Sequence, residues 1–207
     1  EKNFIQTYDE AHTSHYKKST YSERKCFYPF THTLNNDPCF ISSEEEIPFF
    51  TCSFHSDRGE DTVDNLMNGM TKKEFLLIEK ILNKVYLMNQ KLGLATLPQG
   101  SILRHFYQKR LLDTLLPNHN SVLEIGPGSG YLSLLLAMDN KNVYCTDVTQ
   151  VYYAFQHYLF KEFNLLEEFA SLEDENFFKN KIKHIPWFLF KNIPKNKSKK
   201  LDTIIIN

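Results

Sequence analysis

The clearest pattern in the chain begins near Asn120, where short apolar runs of strand length alternate with longer segments of helical period. In those longer segments, apolar side chains recur every three or four residues. The alternation predicts strand–helix units, and therefore a parallel sheet with right-handed crossover connections. The nearly continuous apolar run at 201–207 predicts a strand covered on both faces. The predicted strands are 121–125, 142–146, 181–185 and 201–207, and the predicted helices are 131–138, 149–163 and 165–178.

Two amphipathic helices are predicted before this alternation. Thr71 and Glu74 have the spacing of a capping box, and a helical apolar period follows over 72–92 until Gly93 ends it. A second helix is predicted over 101–116, with Pro117 ending it. Its inward face is expected to comprise Leu103, Phe106, Tyr107, Leu111, Leu112 and Leu115, whereas Arg104 and His105 face either a substrate or solvent.

Residues 1–70 show no helical period over a useful length and are interpreted as irregular. The segment 49–52 looks strand-like, and Glu44, Glu45 and Glu46 form a solvated acidic patch. We expect residues 1–98, with the helix at 72–92, to form an N-terminal extension to a main domain at 99–207. Its residues 1–70 are expected to drape over that domain or to line its substrate cleft. A partly disordered arm is the alternative, although its aromatic content argues against full disorder.

Composition excludes several classes of protein. The chain has 207 residues and a formal net charge of −1, so no overall field attracts it to nucleic acid or an anionic membrane. No apolar run approaches the roughly 20 residues that cross a bilayer, and no signal-peptide pattern begins the chain. We therefore expect no membrane association and a cytoplasmic location.

The four cysteines favour reduced thiols over a metal site. Cys145 lies in a predicted strand and is expected to be buried. Structural zinc usually has close ligand pairs at both ends of a loop, whereas only Cys52 and His55 form a close pair here. Zinc stays an alternative for this region, and we expect no metal. The other possible zinc ligands in this region are Cys26, Cys39 and His32.

A glycine-rich loop joins the first predicted strand to its helix and carries three of the chain's seven glycines. It reads Glu124-Ile125-Gly126-Pro127-Gly128-Ser129-Gly130. Glycine is needed where φ is positive or where a ligand approaches the backbone closely, so this loop is typical of a nucleotide-cofactor site. A dinucleotide loop would have its third glycine at position 131, which is Tyr131, so the spacing argues against NAD.

Asp147 follows the second predicted strand, 17 residues after Gly130. In doubly wound sheets, an acidic residue about 20 residues past the loop accepts hydrogen bonds from ribose hydroxyls. The alternative is that Asp147 only caps the helix that begins near Thr149.

The carboxylate two residues before G-x-G-x-G resembles motif I of the class I S-adenosylmethionine-dependent methyltransferases. The segment 147–159 is similar to the sugar O-methyltransferases, although Thr149 replaces their proline, and 184–187 and 201–207 resemble that family's third and fourth strands. The resemblance covers about residues 99–207. It implies a Rossmann-like α/β fold with a parallel doubly wound sheet, of which the first four strands are present. It also implies S-adenosylmethionine as cofactor, with Glu124 near its methionine end. The expected cofactor-binding residues are Glu124, Gly126, Pro127, Gly128, Ser129, Gly130, Asp147 and Val148, with Trp187 either against the adenine or in the core.

The expected function is therefore methyl transfer to a sugar or another small hydroxylated substrate. A nucleic-acid or protein N-methyltransferase and a non-catalytic interaction protein with this fold remain alternatives. No catalytic base is identified, and His157 is expected to be packed or exposed. Class I methyltransferases continue for about three further strands, so we also expect this chain to be a fragment with an open sheet edge beyond Asn207, and to be poorly soluble or inactive.

Overall fold

The computed structural model contains a parallel sheet flanked by helices, and it describes residues 3–19, 33–34, 37–38, 41–51, 67–93, 99–168, 182–192 and 201–207. Several predictions lie outside these ranges. They concern Cys26, Cys39, Cys52, His32 and His55.

The first helix, α1, spans Phe4–Lys18, so the interpretation of residues 1–70 as irregular is wrong for this segment. Asn3 and Gln6 form a capping box in which Asn3 Oδ1 accepts from Gln6 N at 2.9 Å. Ile5 and Tyr8 are buried, and the inward face also includes the aromatic Phe4 and the polar His12. The hydrophobic period is weak for that reason.

The rest of the N-terminal region is built from short elements. Strands β1, Thr33–Leu34, and β2, Asp37–Pro38, pair antiparallel. Glu44–Glu46 form a 3-10 turn and helix α2 spans Ile47–Thr51, so the strand interpretation of 49–52 is also wrong. Ile5, Ile41 and Ile47 belong to the same hydrophobic cluster as the helices of the main domain.

Helix α3 spans Lys72–Lys91, with the predicted capping box, and Gly93 follows it at φ +80°. Helix α4 spans Gln99–Leu115 and packs against the sheet's first helix. The inward face predicted for α4 is partly wrong. Ile102, Leu103 and Phe106 are buried, whereas Tyr107, Leu111 and Leu115 form a separate exposed series four residues apart.

The alternating region folds largely as the pattern predicts. Its elements are β3 (Ser121–Ile125), α5 (Tyr131–Met138), β4 (Asn142–Thr146), α6 (Gln150–Glu162), β5 (Leu166–Glu168), β6 (Ile182–His184) and β7 (Thr203–Ile206). The sheet order is β5-β6-β4-β3-β7, and every neighbouring pair is parallel.

Strand β5 replaces the start of the helix predicted over 165–178, so the sheet has five strands rather than four. The chain leaves α6 through Asn164, whose φ is +56°, and Leu165 N donates to Phe160 O to close the turn. Glu167 then lies beside Lys183 of β6. The rest of that predicted helix lies outside the described residues.

The two faces of the sheet differ in cover. Val122, Val143 and Cys145 lie in the same hydrophobic cluster as residues of α5 and α6. Leu123, Tyr144 and Ile185 form a smaller cluster on the opposite face. Ile204 and Ile206, which pair with Leu123 and Ile125, are 58% and 76% exposed, so in the described structure β7 is not covered on both faces as expected. None of the helices in the described ranges has the length and hydrophobicity needed to span a membrane.

Candidate cofactor site

The glycine loop lies at the carboxyl edge of the sheet, between β3 and α5. Its glycines Gly126, Gly128 and Gly130 have φ of +70°, +54° and +75°, a region that L residues with side chains rarely adopt. Gly126 N donates to Thr146 O at 2.9 Å, and Gly130 N donates to Pro127 O at 3.0 Å. Pro127 and Ser129 are buried within the loop. The loop is therefore a fixed turn that leads directly into α5.

Two of the glycines are also required by contacts within the protein. A Cβ at Gly126 would lie 3.1 Å from Asn207 O, and a Cβ at Gly130 would lie 3.0 Å from Gln156 Cγ and 3.1 Å from Phe160 Cζ. Close packing within the protein thus explains why both ends of the loop are glycine. Gly128, at its centre, is only partly buried.

Glu124 is completely buried inside β3 and is bound on both oxygens. Ser133 Oγ donates to Oε2 at 2.5 Å, and Asn207 Nδ2 donates to Oε1 at 2.7 Å. The Ser133 backbone N–H also bonds to this carboxylate. Because Gly130 provides no capping side chain, Glu124 caps α5 from the preceding strand.

Asp147 is 3% exposed and contacts two elements of the site. Its Oδ1 accepts from Thr149 N at 2.9 Å, while its Oδ2 accepts from Gly128 N at 3.3 Å and from Gln156 Nε2 at 3.0 Å. The Thr149 side chain makes no capping bond itself. Asp147 therefore does cap α6, and it also joins that helix to the glycine loop. The ribose contact stays a prediction.

Burial dominates the electrostatics of both carboxylates. It raises the pKa of Glu124 to about 7, to which the nearby Asp147 contributes, and it raises the pKa of Asp147 to about 6. The hydrogen-bond donors that oppose these shifts are uncharged amides and a hydroxyl. Among the residues that the structure describes, no cationic side chain is bonded to either carboxylate, so the site concentrates acidic groups.

Gln156 is a site residue that the sequence did not single out. Its Nε2 donates to Gly128 O at 2.8 Å and to Asp147 Oδ2 at 3.0 Å. Its Oε1 accepts from His184 Nε2 at 3.0 Å. A glutamine within an amphipathic helix gives no signal of such a role, because glutamines in that context are usually exposed.

His184 ends β6 and is buried against Tyr153, with the two ring centroids 3.6 Å apart. Burial, with His157 nearby, lowers the pKa of His184 well below its ordinary value, so the ring is neutral. Since Nε2 donates to Gln156, the proton lies on that nitrogen. Among the described residues, Nδ1 has no hydrogen-bond partner.

The remaining predicted residues lie near this edge of the sheet. Val148 follows Asp147 and is 42% exposed. Trp187 is 9% exposed and packs against His12 of α1 and Phe188, with centroids 5.9 Å from each. Trp187 thus occupies the aromatic core, and its contact with an adenine stays a prediction. Helix α1 is held beside it by a bond from Gln150 Nε2 to Asp9.

Arg104 is exposed on α4, and His105 packs edge-on against Tyr131 at 6.2 Å between centroids. Within the described ranges, no three His, Cys, Asp or Glu side chains are arranged to hold a metal ion.

The fold and site together define an α/β protein with a parallel sheet, compatible with a Rossmann-like fold, and a glycine loop at the carboxyl edge. Comparison with models of protein families, with curated proteins and with solved structures finds no match to this chain.

Proposed function

We propose that the chain binds S-adenosylmethionine and is a methyltransferase of class I type that acts on a sugar or another small hydroxylated acceptor. The observation that carries this proposal is the glycine loop between two buried carboxylates, Glu124 in β3 and Asp147 directly after the adjacent strand β4. When bound, this cofactor supplies a methyl group on a positively charged sulfonium. The protein's part is to bind, orient and exclude water.

The location of the site supports ligand binding. In open α/β sheets, ligands bind outside the carboxyl ends of the strands, where the connecting loops converge. The loop, Asp147 with the exposed Val148, and Asn207 all lie at that edge. Gly128, at the centre of the loop, is only partly buried, which suits a close approach of cofactor to backbone.

The charges favour S-adenosylmethionine over a dinucleotide. A buried carboxylate without a cationic partner is costly to ionise, and a ligand with sulfonium and ammonium groups reduces that cost. The pyrophosphate of NAD would instead need the N-terminus of α5. Glu124 already bonds there to the Ser133 amide and adds negative charge. The buried carboxylates, one of them at the N-terminus of α5, therefore fit a cationic cofactor.

Two sequence observations support the proposed acceptor. The sequence of α6 resembles sugar O-methyltransferases, and the neutral net charge disfavours a nucleic-acid substrate. No described side chain is assigned as the base that would take the acceptor's proton.

Calorimetric titration of the chain with S-adenosylmethionine and with NAD tests the proposal. We expect binding of S-adenosylmethionine, none of NAD, and loss of binding in Gly128→Val, because a side chain would enter the cofactor volume. Gly93→Val is the matched control, since Gly93 also has positive φ but lies at the end of α3. Unchanged affinity in Gly128→Val, or measurable affinity for NAD, would contradict the proposal.

A further inference from the structure

We infer that Gln156 is the positioning residue of this site, because its carboxamide closes a triangle of hydrogen bonds with Asp147 and Gly128 that fixes the centre of the glycine loop. The loop-holding part of this inference stands on the contacts alone. Its effect on cofactor affinity rests on the proposed function.

The triangle holds the backbone of Gly128 from both sides. Gly128 N donates to Asp147 Oδ2, and Gly128 O accepts from Gln156 Nε2. The same Nε2 donates to Asp147 Oδ2, so the two groups that hold Gly128 also bind each other. A rotation of the loop at this residue would break two of the three bonds together.

Only one orientation of the Gln156 carboxamide satisfies its neighbours. Its NH2 group faces two acceptors, Gly128 O and the Asp147 carboxylate, while its oxygen faces His184 Nε2. A flipped amide would place its oxygen against both acceptors and remove the Gln156 donor from each of them. His184, the residue that ends β6, therefore determines which way Gln156 points.

The stem of Gln156 has little freedom to move away. The side chain is fully buried, and its Cγ lies 3.0 Å from the position that a Cβ on Gly130 would take. One residue of α6 thus contacts the end of the loop through its methylene and the centre of the loop through its amide. Shorter or apolar side chains cannot make both contacts.

This arrangement has a consequence for ligand binding. If the loop adopts the binding-competent conformation for only a fraction of the time, the apparent dissociation constant rises by the inverse of that fraction. Loss of the Gln156 bonds removes the donor that fixes Gly128 O, and it removes one donor from buried Asp147. We expect the competent fraction to fall by about tenfold.

A matched pair of substitutions on the same helix tests the inference without any cofactor. Gln156→Met keeps the length of the side chain and removes its polar group. Gln150→Met makes the same change at the first residue of α6. There the carboxamide binds Asp9 and Ile41 N rather than the loop. Amide hydrogen exchange of the full chain, read by NMR at Gly128, is the measurement.

We expect the Gly128 amide to be protected in the wild type and to exchange about tenfold or more faster in Gln156→Met, while strand amides such as Leu123 keep their protection. Gln150→Met should leave Gly128 unchanged. Gln156→Asn, which is polar but too short to reach Gly128 O, should act like Gln156→Met and serves if that variant does not fold. An unprotected Gly128 amide in the wild type, or unchanged protection in a folded Gln156 variant, would overturn the inference.

Calorimetry with S-adenosylmethionine then separates this inference from the proposed function. Affinity should fall about tenfold in the Gln156 variants and less than about twofold in Gln150→Met. If the wild type binds no S-adenosylmethionine, the proposed function is wrong and the exchange data alone decide the loop-holding role. If the wild type binds and folded Gln156 variants bind equally well, Gln156 does not position the site.

Discussion

Asn207 Nδ2 donates a hydrogen bond to Glu124 Oε1 at 2.7 Å, which ties the residue after β7 to the buried carboxylate of β3. The other oxygen of Glu124 is held by Ser133 of α5. Asn207 N also donates to Ile125 O at 3.1 Å, so side chain and backbone fix the same pair of strand ends. Glu124 therefore joins two strands and a helix, in addition to the role proposed for it in cofactor binding.

The first prediction concerns the pH dependence of the cofactor-free chain. The pKa of Glu124 is raised from 4.5 to about 7, so the folded protein holds this proton more tightly than the unfolded chain does. The resulting stabilisation is present below pH 4.5 and is lost as the pH rises through about 7. Asp147 contributes in the same direction between 3.8 and about 6. We expect the melting temperature of the wild type to fall between pH 5 and pH 8, as measured by calorimetry.

Glu124→Gln should melt higher than the wild type at pH 8 and lose most of the pH dependence above pH 6. Its amide oxygen can accept from Ser133, and its NH2 can donate to Asn207 once that amide turns. Glu79→Gln, an exposed change on α3, is the control and should leave the slope unaltered. A Glu124→Gln protein that melts lower than the wild type at pH 8 with the same slope would show that the ionised carboxylate stabilises the fold.

The second prediction separates the two roles of Asp147. Asp147→Ser keeps an oxygen that can accept from Thr149 N but removes the charge, whereas Asp147→Ala removes both. We expect both variants to bind S-adenosylmethionine more weakly by roughly 1–3 kcal/mol, the scale for a hydrogen bond to a charged group that is left unmade. Only the alanine variant should lose a further ~1 kcal/mol of folding stability through the missing cap.

Calorimetric titration and thermal unfolding of the same two proteins give both readouts. Normal affinity in both variants, with reduced stability in Asp147→Ala, would leave Asp147 as a helix cap and remove it from the proposed cofactor site.

The sequence predicts the central units well and the periphery poorly, for physical reasons. Strands β3 and β4 and helix α5 have the predicted bounds because their apolar periods are strong and the glycine loop separates them. Helix α1 gives little sequence signal, because its inward side chains include Tyr8 and His12, which produce little hydrophobic period. Strand β5 gives none, because three residues are too few to show alternation and the strand is stabilised by pairing with β6.

The candidate site, too, is predicted from the sequence only in part. The motif gives Glu124, the three glycines and Asp147, and the structure brings them together at one edge of the sheet. Gln156 could not be predicted, because its role depends on contacts with Asp147, Gly128 and His184, which are 9, 28 and 28 positions away in sequence. No sequence motif includes these contacts. Tertiary contacts of this kind have no local pattern.

The third prediction tests why residue 130 is a glycine. Gly130→Ala introduces a Cβ at φ +75°, within 3.0 Å of Gln156 Cγ and 3.1 Å of Phe160 Cζ. Gly93→Ala introduces one at φ +80° whose nearest neighbour is Pro48 Cγ at 3.9 Å, so it isolates the backbone strain. We expect Gly93→Ala to cost about 1–2 kcal/mol and Gly130→Ala to cost about 1–3 kcal/mol more, because overpacking is added. Equal losses in urea unfolding would mean that the contacts with α6 relax without cost.

The fourth prediction tests the fifth strand. Lys183 of β6 is 2% exposed and forms an ion pair with Glu167, its register partner in β5, whose side chain is 31% exposed. Glu167→Ala leaves the buried ammonium without this partner, and we expect a loss of roughly 1–3 kcal/mol, below the range for a fully buried pair because Glu167 is partly solvated. The double variant Glu167→Ala/Lys183→Met should regain most of that loss, since methionine fills the space of the lysine stem without a charge.

Lys91→Met is the control: it removes the exposed partner of Glu162 and should change stability by less than ~0.5 kcal/mol. Urea unfolding of the wild type and these three variants measures the changes in stability, and a Glu167→Ala variant as stable as the wild type would show that β5 is not held to the sheet by this pair.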